Sequence, residues 1–405
     1  MHQKRIKVLL YTVSLGGVLR HIQDIVTQID HTKFELIGVF PDKLLNKAYL
    51  PHNISGYHSI FTAAGLKSYT VETPVGLNPL ASTTAFYNMA RLLRHVQPDV
   101  LHCHSSMAGA IGRLATLAWR PRRVLYTPHL MYCLRSTGLR RFIFSAIERI
   151  LFPLTDTVIA VSDSELHDIS SIFGQNHRLT LIRNAVPVDL SAPATQPGGS
   201  ALPKDIKPLQ GKKIILSTAR FDAQKDVPTL IHAAHILAQT RSDFQVLLAG
   251  DGEDRDAIRA RIRDKKLEHL VHLVGWRSDV PQLLAACDVM VLSTHREGLP
   301  YAMLEAMALG KPVIGSDVPG VRECVEHGRT GFLFPCGNAQ ALAELLTQVL
   351  DNAALRQKIG AQAQHAILHR FSPRSMMTAL EALYSGIHPV PEAETTIPSN
   401  FTGQH

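Results

Sequence analysis

Short apolar runs rich in β-branched residues alternate with segments of helical periodicity along most of the chain. This alternation predicts βα units and parallel sheets. In the first half, the runs that predict strands are residues 6–13, 34–39, 100–103, 123–126, 157–161 and 179–182. The helical patterns that follow several of these strands are residues 19–28, 84–95 and 106–118.

A stretch rich in proline and glycine, residues 191–211, interrupts the pattern and predicts an interdomain linker. After it the alternation restarts. The predicted strands of the second half are residues 213–217, 245–249, 271–274, 289–292 and 313–315. The predicted helices are residues 227–239, 254–265, 278–285, 300–309 and 339–350.

The pattern therefore predicts an α/β protein with two doubly wound, Rossmann-like domains, residues 1–190 and 212–372. A chain of 405 residues also suits two domains better than one core. Two such domains would hold a ligand in the cleft between them, at the carboxyl ends of both sheets. Residues 373–388 predict a helix that packs back on the first domain, and residues 389–405 predict a disordered tail.

Composition narrows the class of protein. Hydrophobic residues make up 45% and charged residues 19%, as in ordinary globular proteins. The five cysteines form no CxxC pair, which argues against a disulfide framework and fits a reducing, cytoplasmic compartment. No apolar run reaches the roughly 18 residues of a membrane span, and the run at residues 6–13 is shorter than the apolar core of a usual secretory signal.

The formal net charge of +8 is concentrated between Arg113 and Arg149, where eight arginines and one acid, Glu148, give +7. Large apolar residues are interleaved with these arginines, among them Leu139, Phe142 and Ile150. Such a basic, apolar helix can lie on an anionic membrane surface or receive an acidic acceptor, and a merely solvated face is the alternative. No recognition motif supports nucleic acid as a partner.

The strongest chemical signal is the segment of residues 297–315. Glu297 lies in the loop after a predicted strand, and Gly298 allows close backbone approach. Pro300 suits the first turn of the helix that carries Glu305. The exposed N–H groups at that helix start could bind a diphosphate, while the two carboxylates accept hydrogen bonds from sugar hydroxyls.

This segment resembles the E-x7-E motif of the retaining glycosyltransferases of family 4, which have the GT-B fold. Further segments resemble the family in the same order. In the second half they are residues 217–226, 247–252, 274–276, 317–321 and 328–332. In the first half they are Leu15-Gly16-Gly17-Val18 and Thr127-Pro128-His129. The resemblance covers residues 6–384.

The resemblance implies transfer of a sugar, with retention, from a UDP- or GDP-sugar to a hydroxyl acceptor, without a metal or another cofactor. It implies that Arg220 and Lys225 stabilise the leaving diphosphate, and that Glu297 and His129 lie at the reaction centre. The implied donor-binding residues are Gly16, Gly17, Gly275, Trp276, Gly298, Leu299, Pro300, Tyr301 and Glu305.

The first half is similar to that of bacterial exopolysaccharide and O-antigen transferases. This similarity and the arginine-rich region suggest a polyprenyl-diphosphate-linked glycan as acceptor, with the protein peripheral on the inner membrane face. A small soluble acceptor, a non-catalytic sugar-nucleotide-binding protein and a sugar-nucleotide epimerase are the alternatives. The intact Arg220, Lys225 and Glu297 argue against the non-catalytic alternative, and no acid/base set replaces Arg220 and Lys225 as an epimerase would need.

Two further groups could indicate a metal. His102 and His104 alternate on a predicted strand and therefore face one side, but the sequence reveals no third ligand. Histidines at a strand end near the cleft are the favoured interpretation. Asp254 and Asp256 form an acid pair at a predicted helix start without supporting context, and no metal site is expected there.

Overall fold

The computed structural model describes residues 4–13, 16–41, 55–74, 78–186, 203–206, 209 and 211–388. The strands of the first half are β1 (Ile6–Thr12), β2 (Phe34–Phe40), β3 (Lys67–Thr70), β4 (Val100–His104), β5 (Arg123–Thr127), β6 (Thr157–Ala160) and β7 (Leu179–Leu181). The helices are α1 (Gly17–Gln28), α2 (Ser55–Ala63), α3 (Pro79–Val96), α4 (Ser106–Ala115), α5 (Tyr132–Arg135), α6 (Gly138–Leu151) and α7 (Asp163–Phe173).

The second half repeats this architecture. Its strands are β8 (Lys213–Thr218), β9 (Phe244–Ala249), β10 (Val271–Gly275), β11 (Val289–Leu292), β12 (Val313–Ser316) and β13 (Phe332–Phe334). Its helices are α8 (Val227–Leu237), α9 (Arg255–Asp264), α10 (Val280–Ala286), α11 (Tyr301–Ala308), α12 (Pro319–Arg322), α13 (Ala339–Asp351), α14 (Ala353–Arg370) and α15 (Pro373–Ser385).

Each half contains one parallel sheet with Rossmann-like strand order, which confirms the predicted α/β class. The first sheet has the order β3-β2-β1-β4-β5-β6-β7, and the second has the order β10-β9-β8-β11-β12-β13. Two strands, β3 and β13, were not expected from the sequence. Both are short and lie at sheet edges, and exposed or half-buried residues make up the whole of β3, so the apolar pattern does not reveal it.

Apolar clusters cover both faces of each sheet, as parallel sheets require. Helix α15 contributes to the cluster under the first sheet, where Met376 and Leu380 join Val8 and Leu10 of β1. The Tyr384 hydroxyl also lies 2.9 Å from Nδ1 of His102 on β4. The end of the chain therefore packs on the first half.

Parts of the predicted domain plan fall outside the described residues. The expected disordered tail, residues 389–405, is wholly outside them, and the expected linker is described only at residues 203–206, 209 and 211. Across the described ranges, no helix is both long and apolar enough to cross a membrane.

The strand order of each sheet reverses direction once near its middle. The reversal falls between β1 and β4 in the first sheet and between β8 and β11 in the second. Ligands of open α/β sheets bind at such points, outside the carboxyl ends of the strands. Gly16 follows β1, Arg220 follows β8 and Glu297 follows β11, so the topology brings predicted site residues to both positions.

Candidate active site

The loop after β8 carries the two predicted cations, Arg220 and Lys225, and the carboxylate of Asp222. Asp222 accepts a hydrogen bond from the Lys225 backbone N–H at 3.1 Å and begins a single turn of 3-10 helix. The same carboxylate accepts a bond of 2.5 Å from Nε of Arg220. Asp222 therefore orients the Arg220 guanidinium and fixes the backbone turn that carries Lys225, a role that the sequence did not indicate.

Lys225 also reaches the loop after β11. Its Nζ lies 2.5 Å from Oε1 of Glu297, and the two side chains are only 18% and 9% exposed. A second bond joins the same loops, from the Gln224 side-chain amide to the Arg296 carbonyl at 2.7 Å. The cation and the acid predicted for the donor site thus lie side by side, at the reversal point of the second sheet.

The turn after β12 packs directly on the backbone of Glu297 and Gly298. A Cβ atom at Gly320 would lie 2.1 Å from the Gly298 carbonyl oxygen and 2.4 Å from that of Glu297. Only glycine permits this approach. The sequence contained Gly320 within a family-like segment but gave no reason for it, because the contact joins two separate loops.

Helix α11 of the second half lies in direct contact with the first half of the protein. Pro300 is its N-cap rather than its first helical residue, and Leu299 before it is buried. The Tyr301 hydroxyl lies 3.0 Å from Nδ1 of His21, and a Cβ atom at Gly17 would touch the Tyr301 ring at 3.4 Å. The donor-side helix and the glycine turn of the first domain therefore face each other closely.

One arginine on α1 lies between a buried acid and a half-buried one. Nε of Arg20 is 3.3 Å from Asp24 and 3.5 Å from Glu305. Burial raises the pKa of Asp24 to about 7, although Arg20 opposes this rise, and burial also raises the pKa of Glu305. The carboxylate predicted to bind the ribose thus lies at the interface of the domains, in an environment that disfavours its negative charge.

His129 follows β5 in an unusual backbone conformation. His129 and Leu130 have φ values of 51° and 80°, in the left-handed region that non-glycine residues rarely adopt. Glu165 of α7 stabilises this turn by accepting the Leu130 N–H at 2.5 Å, and it also accepts the Val161 N–H at 2.8 Å. The spacing Ser162-x-x-Glu165 is that of a helix capping box, but the sequence does not show that the carboxylate reaches the His129 turn.

We expect Glu165 to make stability depend on pH. Burial raises the pKa of its carboxyl to about 7, only partly opposed by the two N–H donors. The folded state favours the protonated form of Glu165. The stability that this preference contributes is therefore complete below about pH 4 and is lost as pH rises through 7. Between pH 5 and pH 8 the loss should be about 2–3 kcal/mol.

Urea unfolding of the wild type and of Glu165→Gln at both pH values measures this effect. Other titrating groups are common to both proteins, so the change in the free energy of unfolding should be smaller in the variant by about 2–3 kcal/mol. Equal changes in both proteins would contradict the assignment.

Further polar contacts hold the two halves together. Glu323 of the second half accepts the backbone N–H groups of Asp163 and Ser164, both at 2.7 Å, at the start of α7. Arg296 donates to the Leu134 carbonyl at 2.6 Å and pairs with Asp168. These contacts bring the two halves together beside the candidate site.

Gly275 and Trp276 lie at the carboxyl end of β10, two strands from β8. Gly275 has a φ of 71°, and the Trp276 side chain is 41% exposed. The neighbouring Arg277 pairs with Asp279 and Asp205. The indole can therefore stack on a planar ligand, whereas the arginine already has partners.

The structure corrects the sequence-based interpretation of the basic region at Arg113. Arg113 is fully buried, with Nη2 2.7 Å from Oε2 of Glu148 and its guanidinium carbon 4.0 Å from the centre of the Tyr126 ring. This pair belongs to the core, since α4 and α6 pack together there. Arg113 and Glu148 therefore contribute no charge to the surface.

The outer face of α6 nevertheless presents apolar and basic residues. Leu139, Phe142 and Ile150 are each at least 69% exposed, and Arg140 and Arg141 are exposed beside them. The predicted basic, apolar surface therefore lies on the outer face of α6.

The structure places the paired histidines as the sequence predicted, at the end of a strand beside the cleft. His102 and His104 are both buried on β4. His21 and His129 approach His104, from α1 and from the turn after β5. Residues from three separate elements meet here, which no local pattern could predict.

Two family models match consecutive parts of the chain. The model described as Glycosyltransferase Family 4 matches residues 15–190, and that described as Glycosyl transferases group 1 matches residues 201–366. Together they span most of the chain, including the described elements on both sides of the cleft.

Curated relatives are similar over nearly three quarters of the chain. N-acetyl-alpha-D-glucosaminyl L-malate synthase of Bacillus anthracis is 26% identical over 73% of this chain and 77% of its own length. UDP-Gal:alpha-D-GlcNAc-diphosphoundecaprenol alpha-1,3-galactosyltransferase of Escherichia coli is 26% identical, with coverage of 73% and 78%.

Solved structures share the fold. Anabaena HepE, crystallised in complex with UDP and glucose, superimposes with a TM-score of 0.79 at 20% identity, over 95% of this chain and all of that one. Sucrose-phosphate synthase of Thermosynechococcus elongatus gives a TM-score of 0.75 at 18% identity, over 94% and 98%.

Proposed function

Because the chain belongs to the GT-B glycosyltransferases of the family 4 type, we propose that it transfers a sugar from a nucleotide-diphosphate donor to a hydroxyl acceptor, with retention of configuration. The observation that carries this proposal is the Lys225–Glu297 pair at the reversal point of the second sheet. It brings together a cation for the leaving group and an acid for the sugar.

The donor diphosphate binds at the start of α11, where unpaired backbone N–H groups favour an anion. Arg220 and Lys225 neutralise the charge that develops as the sugar leaves, with Lys225 shared between Glu297 and the phosphate. Glu297 then accepts a hydrogen bond from the transferred sugar, and Glu305 accepts one from the ribose. The similarity to a structure that holds UDP and glucose supports a uridine donor.

The acceptor hydroxyl attacks on the face that the diphosphate is leaving, so configuration is retained. The departing phosphate oxygen takes the proton, and positioning and stabilisation of negative charge provide most of the catalysis. Two protein cations already serve the diphosphate, so transfer does not require Mg²⁺. Addition of Mg²⁺ should leave the initial rate unchanged.

A lipid-linked glycan is the acceptor that the observations favour. The Escherichia coli relative acts, by its name, on a diphosphoundecaprenol-linked sugar, and α6 exposes an apolar and basic surface. We therefore propose that the protein is peripheral on the inner membrane face. A small soluble acceptor is the second candidate, since the Bacillus anthracis relative is named for L-malate.

Analysis of the reaction product tests both the proposed retention of configuration and the proposed lipid-linked acceptor. Purified protein is incubated with UDP-sugars and with either a short polyprenyl-diphosphate-linked sugar or L-malate. NMR coupling constants of the new linkage should show the anomeric configuration of the donor, with product formed from the lipid-linked acceptor. An inverted linkage would overturn retention, and product only from L-malate would overturn the lipid-linked acceptor.

The α6 surface should bind anionic vesicles. Replacing Phe142 and Ile150 with serine removes two exposed apolar side chains and should weaken partitioning by about tenfold or more. Higher salt should weaken it further, because Arg140 and Arg141 contribute through charge. Co-sedimentation with phosphatidylserine vesicles measures the change.

Leu80 on α3 provides the matched control for this experiment. It is 84% exposed, so Leu80→Ser removes a comparable apolar side chain from another surface and should leave vesicle binding unchanged. Equal binding by the wild type and the α6 double variant would refute the membrane assignment.

A further inference from the structure

A cluster of imidazoles lies where the first domain meets α11. His104 ends β4, His129 follows β5, and His21 projects from α1. Nδ1 of His104 is 3.2 Å from Nε2 of His129, and the rings of His21 and His129 are centred 4.9 Å apart. One ring nitrogen from each of the three lies within 4.8 Å of the other two.

Two ring nitrogens of this cluster lack a hydrogen-bond partner within the described part of the chain. Nε2 of His21 and Nε2 of His104 are buried and have no hydrogen-bond partner among the described residues. Buried polar atoms normally have a partner, because leaving them without one is costly. A ligand bound between the two rings would supply the missing partner.

We propose that His21, His104 and His129 form a binding site for a divalent transition-metal ion of the Zn²⁺ type. Three imidazole nitrogens with one open position are a frequent ligand set for such ions. The nitrogens lie within 4.8 Å of one another, so the rings must draw together to reach the roughly 2.0–2.1 Å of a Zn–N bond.

The surroundings of the cluster suit a metal ion. His21 and His104 are buried, with 2% and 0% of their surfaces exposed. Burial favours the neutral form of an imidazole, which is the form that binds metals.

A carboxylate is linked to one of the proposed ligands through a single tyrosine hydroxyl. Nδ1 of His21 bonds with the Tyr301 hydroxyl at 3.0 Å, and Tyr301 bonds with Asp24. Such relays from a histidine towards a carboxylate orient metal ligands and supply compensating negative charge. Tyr301 belongs to the second domain, so a bound ion would also stabilise the contact between the two domains.

His102 is not part of the proposed site, although it stacks next to His104. Its Nδ1 is 2.9 Å from the Tyr384 hydroxyl, and its Nε2 is 2.8 Å from Oγ1 of Thr127. Both nitrogens are therefore occupied. The site is also distinct from the diphosphate chemistry, because a set of nitrogen ligands suits Zn²⁺ and not Mg²⁺.

Titration of the metal-free protein with ZnCl₂ by isothermal calorimetry, at pH 7.5 and without nucleotide sugar, tests the proposal. We expect one tight site per chain, weakened about 100-fold or more in His21→Gln and in His129→Gln. Co²⁺ should show the intense visible absorption of low-coordinate cobalt in the wild type only. Because no donor is present, the outcome is independent of the transferase reaction.

The control removes another pair of histidines. His365 and His369 are neighbours on α14, with their Nε2 atoms 3.1 Å apart on the surface, and could bind Zn²⁺ by themselves. His365→Ala/His369→Ala should retain the tight site. Loss of tight binding in this control alone, retention of tight binding in both cluster variants, or no tight binding by the wild type would overturn the proposal. Circular dichroism checks that the variants are folded.

Discussion

Replacing Lys225 with alanine is expected to lower kcat by about 10²-fold or more, with a smaller change in KM for the donor. In the proposed mechanism Lys225 faces the negative charge that develops on the leaving diphosphate, and its side chain is mostly buried. Electrostatic stabilisation is strongest in such an environment. Initial rates with a UDP-sugar over a range of concentrations measure both constants, and the exposed Lys358→Ala on α14 should keep the wild-type rate.

The ion pair with Glu297 offers another reason for such a loss, because the variant leaves that carboxylate without Lys225. The double variant Lys225→Ala/Glu297→Gln separates the two explanations. If Lys225 stabilises the leaving diphosphate, neutralising Glu297 does not restore the rate. Recovery of most of the activity in the double variant would show that Lys225 only compensates for Glu297.

Replacing Arg113 with alanine should lower the free energy of unfolding by about 3–5 kcal/mol, since it leaves the buried Glu148 carboxylate without its cation. The loss also removes the contact of the guanidinium with the Tyr126 ring. Urea unfolding measures the change. Arg140→Ala, on the exposed face of α6, is the matched control and should change stability by less than about 0.5 kcal/mol.

Similar stabilities for these two arginine variants would mean that Arg113 is a surface residue, as the charge count of the sequence suggested. A count of charges along the chain cannot distinguish an exposed arginine from a buried one. Arg113 is buried because α4 packs against α6. This packing brings Glu148, 35 residues further along the chain, next to the guanidinium.

The residues that the sequence located well are those whose position follows from one strand and the loop after it. Arg220 after β8 and Glu297 after β11 are examples, since parallel strands direct such loops to one edge of the sheet. The residues that it missed act through contacts between distant loops. Gly320 supports Glu297, and Glu165 supports the His129 turn.

The histidine cluster shows the same limit most clearly. His21, His104 and His129 are distant in the chain and meet because β4 lies between β1 and β5, with α1 above. The sequence showed the alternation of His102 and His104 but not the approach of His21 and His129 to His104. His102 is bonded to Tyr384 and Thr127, while His104 faces the cluster.

The central claim is that the second domain holds a nucleotide-diphosphate sugar through the cations after β8 and the acids after β11. Thermal unfolding with a panel of UDP- and GDP-sugars tests it most directly, because a ligand of the folded state raises Tm by mass action. We predict that at least one nucleotide sugar raises the Tm of the wild type, and that the rise is strongly reduced in Lys225→Ala and Glu305→Gln. No rise with any nucleotide sugar, or an equal rise in both variants, would contradict the claim.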